Sequence, residues 1–114
     1  MDKYEKLKTN VNTEFENFKN KMLKESKEEI FDNAYKIRFY TNVWDFIQYL
    51  NKDTFLEEVY IECLLQDFQS VLTCLWDYFL KQEYASVETY DDTQDLIENY
   101  CEKYYKEVVK NGRF

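Results

Sequence analysis

Histidine and proline are absent from the chain, and glycine occurs once, as Gly112. Without histidine the chain lacks the commonest general base near neutral pH and the commonest nitrogen ligand for metals. A cysteine nucleophile would have no imidazole beside it. A lone glycine leaves no glycine-rich phosphate loop. Sheets and tight turns draw on glycine and proline, so their scarcity argues against an all-β fold and for helices joined by short polar loops. The three cysteines, Cys63, Cys74 and Cys101, are odd in number and lack metal or redox spacing. They read as reduced, mostly buried thiols of a cytoplasmic protein. Met1-Asp2-Lys3-Tyr4-Glu5-Lys6 has no apolar run, so no secretory signal is expected. The most apolar window, Val59 to Leu80, is interrupted by Glu62, Gln66, Asp67, Gln69 and Asp77. A bilayer span needs about 20 nearly unbroken apolar residues, so no membrane partner is expected.

What the chain does have is aromatic bulk and acid. Its 114 residues include 11 Tyr, 9 Phe and 2 Trp. That length suits one domain, residues 1–114, which buries roughly two thirds of the surface its unfolded chain exposes. Leu7, Val11, Phe15, Phe18 and Met22 recur at helical spacing and predict a first helix over Asp2–Glu25. Its stripe is narrow, and Thr9, Asn10, Asn12 and Thr13 are weak helix formers, so residues 1–25 are expected to dock loosely. Ser26-Lys27-Glu28-Glu29 has the form of a capping box and predicts a second helix with Ile30, Ala34 and Ile37 inward. Ile37–Tyr49 reads as helix rather than strand, with Thr41 or Asn42 capping a separate short piece. Thr54-Phe55-Leu56-Glu57 repeats the capping pattern and opens a periodic run to about Gln82. As one helix this run would be roughly 40 Å long, too long for a compact domain of this size. It either breaks near Gln69-Ser70 or projects. A last helix is expected from near Ser86 to about Lys110, closed by Asn111-Gly112. The fold class is therefore all-α: a compact bundle of four or five helices with a long central helix.

Charge is unevenly spread. Residues 1–52 hold nine acids against ten bases, whereas residues 53–102 hold thirteen acids against Lys81 alone. At about 100° per residue, Glu88, Asp91, Asp92, Asp95, Glu98 and Glu102 share roughly a third of the last helix's circumference. Tyr90, Ile97, Tyr100, Tyr104 and Val108 centre on the opposite side. Like charges at helical spacing cost a few tenths of a kcal/mol per pair, which salt screening makes tolerable. The stripe is thus either a solvated face or a stand-in for nucleic acid. Five or six carboxylates over about 21 Å of helix give one charge per roughly 4 Å, close to the 3.4 Å spacing of phosphates on a DNA strand. Such a face would attract a basic nucleic-acid-binding protein and repel nucleic acid itself. Glu57, Glu58 and Glu62 would form a second patch if their helix lies alongside. Reversing Asp91, Asp92 and Asp95 to Lys is expected to abolish capture and leave helicity intact.

Two other functions have sequence support. Trp76 and Phe79, with Tyr78, read either as core or as an aromatic surface for a homodimer or adaptor contact. Carboxylate pairs at helical spacing, Glu25 with Glu28, Glu29 with Asp32, and Glu88 with Asp91, are the kind by which all-α nucleotide pyrophosphohydrolases hold Mg²⁺. The first pair straddles a helix boundary and the last belongs to the acidic stripe. The chain accordingly reads as a non-enzyme with no cofactor and no metal site.

The series Glu28-Glu29-Ile30-Phe31-Asp32-Asn33-Ala34-Tyr35, the helix over Leu56–Tyr60 and Asp95-Leu96-Ile97-Glu98-Asn99-Tyr100 resemble small acidic helical proteins of unknown function carried by phages and mobile elements of Gram-positive bacteria. The Asn-, Lys- and Tyr-rich vocabulary is similar to that of AT-rich genomes. Several anti-restriction and anti-CRISPR proteins from such elements are small and acidic and occupy a nucleic-acid site. The resemblance implies an inhibitor of a host defence protein, such as a CRISPR effector, working in the cytoplasm of a bacterial host cell. It carries no shared catalytic residues.

Overall fold

The computed structural model describes residues 2–51, 53–82 and 87–112, and among these every regular element is helical. Six α-helices follow in order: α1 (Lys3–Leu23), α2 (Lys27–Asp32), α3 (Ala34–Gln48), α4 (Phe55–Leu65), α5 (Val71–Leu80) and α6 (Tyr90–Lys110). A 3-10 turn at Phe68–Ser70 separates α4 from α5. The all-α bundle expected from composition is present. Of the two courses open to the stretch read as one central helix, a break near Gln69-Ser70 or projection, the structure takes the break, and α1 and α6 are the longest elements.

The break is sharp. Phe68 has φ of +50° and Gln69 has non-helical φ and ψ of −97° and 22°. A left-handed conformation is costly for a residue with a Cβ, and Phe68 leaves its ring exposed there. The turn redirects α5 so that Val71, Leu72 and Leu75 face inward. Only that side of α5 is fully buried. Leu80 is exposed and Trp76, Tyr78 and Phe79 are half-buried.

Side-chain caps set several helix starts. Asp2 accepts from the Glu5 amide (2.7 Å), Ser26 from Glu29 (3.2 Å) and Thr54 from Glu57 (3.3 Å), each satisfying an otherwise orphaned N–H. The chain does not break at Thr41 or Asn42. It breaks at Asn33, between α2 and α3. Thr41 donates to the Ile37 carbonyl within α3, and Asn42 donates to the Val87 carbonyl, tethering the segment before α6. The inner face of this region is Phe39, Tyr40, Val43, Phe46 and Ile47, not Ile30 and Ala34; α2 buries no residue.

The core gathers around these residues. Leu7 and Val11 of α1, Phe39, Val43 and Ile47 of α3, Leu64 of α4, Leu72 and Leu75 of α5 and Ile97 of α6 have no exposed surface. α1 lies across α3, α4, the 3-10 turn and α5, while α6 packs along α4 and against α3 and α5. The first four turns of α1 bury Tyr4, Leu7, Val11 and Phe15, and Tyr4 donates to the Ile47 carbonyl (2.8 Å). Its last turns are more open, with Leu23 exposed and Phe18 stacked on Tyr40 at 4.1 Å.

One long-range contact joins α1 to α5. The N-cap of α5, Ser70, makes no side-chain cap bond. Glu14, only 7% exposed, fills the role instead. Its carboxylate accepts from the Leu72 amide (2.7 Å), the Thr73 amide (2.9 Å) and the Thr73 hydroxyl (2.8 Å). Because that hydroxyl's proton is committed to Glu14, the Tyr40 hydroxyl donates to Thr73 in turn (3.0 Å).

Candidate functional site: an acidic face on the last helix

α6 starts at Tyr90, later than its expected start near Ser86, which lies outside the described residues. Its N-cap is Thr89. The Asp92 amide donates to the Thr89 hydroxyl (3.1 Å) and the Thr89 amide to the Asp92 carboxylate (3.3 Å), a reciprocal capping box. The signal was in the sequence as Thr89-Tyr90-Asp91-Asp92, with Asp in place of the usual Glu or Gln. At the other end Gly112 takes φ of +66°, the left-handed stop expected after Asn111.

The helix divides cleanly. Thr93, Leu96, Ile97, Cys101 and Val108 are buried. Tyr100 donates to Asp67 (2.7 Å) and Tyr104 to Glu62 (3.3 Å), which fixes the helix's rotation against α4 and the 3-10 turn. Tyr90, expected inward, is more than half exposed, with its ring 4.7 Å from that of Phe46. Asp91, Asp95, Glu98 and Glu102 are exposed on the opposite side.

The expected binding residues do not all join one surface. At one end of the stripe Glu88 is ion-paired with Arg38, and at the other Glu102 pairs with Lys106 (3.0 Å). Asp92 is half-buried and spent on the cap, so its reversal to Lys would disturb the start of the helix. The centre remains: among the described residues Asp91, Asp95 and Glu98 form no ion pair. Nor do the α1 lysines fold over it, for the ion pairs of Lys3, Lys8 and Lys19 go to Glu62, Glu5 and Glu16.

The second patch divides too. Glu57 is half-buried and accepts from the Asn51 amide (2.8 Å) and the Thr54 hydroxyl (3.0 Å), holding the turn before α4. Glu58 is half-buried near Asp2, Lys3 and Asp53. Glu62 is 5% exposed, paired with Lys3 and hydrogen-bonded by Tyr104. It is an internal strut between α1, α4 and α6 and leaves the candidate surface. Trp76 and Phe79 are half-buried against Phe39, with both pairs of ring centroids 5.0 Å apart, and against Tyr35. Their rings close the edge of the core.

Of the carboxylate pairs, Glu25 lies in the turn after α1 and Glu28 in the first turn of α2. Glu29 and Asp32 belong to α2, and Glu88 is held by Arg38. No three of His, Cys, Asp and Glu gather as a metal ion would require among the described residues. Cys63 and Cys101 are buried thiols and Cys74 is half-buried, all unbridged. The Cys63 side chain beside Cys101, together with burial, pushes the Cys101 thiol far up.

Buried phenols give the molecule an alkaline limit. Burial raises the ionisation of Tyr4, Tyr40, Tyr60 and Tyr100 above the ordinary value of 10.0, with Tyr60 pushed up to about 12. Folding therefore holds these protons more tightly than the unfolded chain does. The stability they contribute is complete below pH 10 and falls as pH rises from there through the folded values. Tyrosinate absorbance and helical circular dichroism are expected to change together above pH 10. Full ionisation of all tyrosines with the helices intact would contradict this.

Fold and site together define a small all-α protein with an acidic, solvent-facing helix edge. No protein-family model, curated protein or solved structure matches the chain. No helix of the described residues is long and apolar enough to cross a membrane.

Proposed function

We propose that the protein acts by occupancy, without turnover, as an acidic decoy for the nucleic-acid groove of a basic partner protein. The observation that carries this reading is the row Asp91, Asp95 and Glu98 on one exposed face of α6, without an ion pair among the described residues. The row is backed by a helix whose other side is locked into the core by Ile97, Cys101 and two tyrosine hydrogen bonds. A row of charge on a fixed helix needs only its side chains ordered when it binds, so less of the electrostatic gain is lost to entropy. On binding such a row, a cationic channel shaped for a sugar–phosphate backbone would release counterions into solution, as it does on binding phosphates. Glu102 adds to the row when Lys106 swings aside, since an exposed pair of this kind is held weakly. The resemblance noted in the sequence makes the channel of a CRISPR effector the leading partner class, because that channel reads backbone geometry and charge.

The test is competition. Guide-loaded CRISPR effectors are mixed with target DNA and increasing protein, and DNA binding is read by mobility shift at low and high salt. The protein is expected to displace DNA from at least one effector, less well as salt rises. Asp91→Lys, Asp95→Lys and Glu98→Lys together, with Asp92 left in its cap, should weaken displacement by at least about 100-fold, given the coupling energies of close interfacial charge pairs. Helical circular dichroism should stay unchanged. Displacement indifferent to the triple reversal or to salt would remove the acidic face from the mechanism, and no displacement from any effector would remove that partner class.

A further inference from the structure

The acidic face is indented where it meets α4. A cleft of about 350 Å³ opens along the α4–α6 seam, lined by Leu56, Tyr60, Glu98, Glu102, Tyr105 and Lys106. Its volume is at the lower end of the roughly 300–1,000 Å³ usual for ligand pockets, and its walls follow their pattern of apolar and aromatic surface with a few polar groups. The Tyr105 ring is set in place by Phe55, edge-on at 5.9 Å. Tyr60 is 3% exposed, yet its hydroxyl makes no hydrogen bond to any described residue. No fully enclosed side-chain oxygen or nitrogen among the described residues is left without a partner, so the Tyr60 hydroxyl keeps its opening to the cleft. A phenol that is nearly buried, bonded to no described residue and open to a cleft is available to a ligand there.

We propose that this cleft seats an arginine side chain of the partner, its guanidinium lying on the Tyr105 ring and donating to Glu98, Glu102 and the Tyr60 oxygen. The inference rests on the decoy reading and names the anchor that reading lacks. A flat, weakly hydrated cation with several donors suits two carboxylates, an aromatic wall and a free phenol oxygen better than a compact, strongly hydrated ammonium does. The chain already places a cation at the entrance: Lys106 holds Glu102 at 3.0 Å from an exposed position, where exchange for an incoming charge costs little. The potential inside the cleft has the right sign, since the Tyr60 phenol is raised first by burial and next by the negative charge of Glu98.

The experiment compares fluorescent oligoarginine and oligolysine of equal length, titrated with the full chain at one low ionic strength and followed by anisotropy. Oligoarginine is expected to bind about tenfold more tightly, the scale of a desolvated cation–π contact. Tyr105→Leu, which keeps an apolar wall but no ring face, should bring the two affinities together. Tyr60→Phe, which removes only the hydroxyl, should narrow the gap without altering the fold. Equal binding of both peptides by the unaltered chain overturns the cleft and leaves the acidic face standing, and so does a preference that survives both substitutions. Failure of both peptides to bind overturns the cleft and the acidic face together.

Discussion

Replacing Glu14 by alanine is expected to lower the unfolding free energy by about 3 kcal/mol, the upper range for leaving buried hydrogen-bond donors without a partner. For a domain of this size that is a fall in melting temperature of roughly 12 °C. The reason is the start of α5. Its own N-cap supplies nothing, and three donors at Leu72 and Thr73 end on the Glu14 carboxylate. Alanine removes every acceptor at once and leaves a gap into which Tyr40 and Thr73 must rearrange. Glu14→Gln keeps one oxygen and should lose roughly half as much. Chemical denaturation checks both, through a midpoint that drops with an unchanged slope. A loss below about 1 kcal/mol for the alanine variant would mean that water caps α5 as well as Glu14 does.

The same residue gives a pH signature. Burial raises the Glu14 carboxyl above its ordinary value of 4.5, with the Leu72 and Thr73 donors pulling the other way. The native state thus holds this proton more tightly than the unfolded chain does. Glu14's contribution is largest below pH 4.5 and declines as pH rises through its folded value. Glu14→Gln cannot titrate, so the difference in stability between it and the native chain should shrink as pH rises through that interval.

Phe39→Ala should cost more, about 4 kcal/mol. Phe39 has no exposed surface, and its ring meets Trp76 edge-on and Phe79 at a tilt, each 5.0 Å away. Those two rings are themselves half-buried, so removing Phe39 opens the cavity to the surface side of α5. Near-ultraviolet circular dichroism should weaken as Trp76 loses its fixed setting, ahead of any loss of helicity. Since small domains are stable by about 5–15 kcal/mol, the variant would sit near the edge of folding. A loss under about 1.5 kcal/mol would show that the α3–α5 contact closes over the gap.

What could be read from the sequence was local. The stripe Leu7, Val11 and Phe15, the caps at Ser26 and Thr54 and the stop at Gly112 each involve residues a turn or less apart. Length against domain size left the run over 54–82 either to break near Gln69-Ser70 or to project, and it breaks there. What could not be read was set by partners far along the chain. Glu62 resembles Glu58 in sequence, and Lys3 and Tyr104, from the first and last helices, hold it inside. Glu14 looks like an ordinary surface acid on a narrow amphipathic helix, because its donors lie some 58 residues on. The candidate face was legible in its centre, Asp91, Asp95 and Glu98, for the same local reason. Its ends were not, since Arg38 comes from another helix and Asp92 was already committed to the cap.

The borrowed cap also sets an order of events. The ten residues of α5 follow a left-handed kink and start with no lid of their own. A helix that short has little propensity to nucleate alone. It gains its first satisfied turn only once the amino-terminal helix has arrived, so α5 closes late and α1 is the template on which it closes. Deuterium uptake at the Leu72 and Thr73 amides during refolding would then slow in step with protection of α1, and α5 would wait on a helix that lies some 58 residues before it.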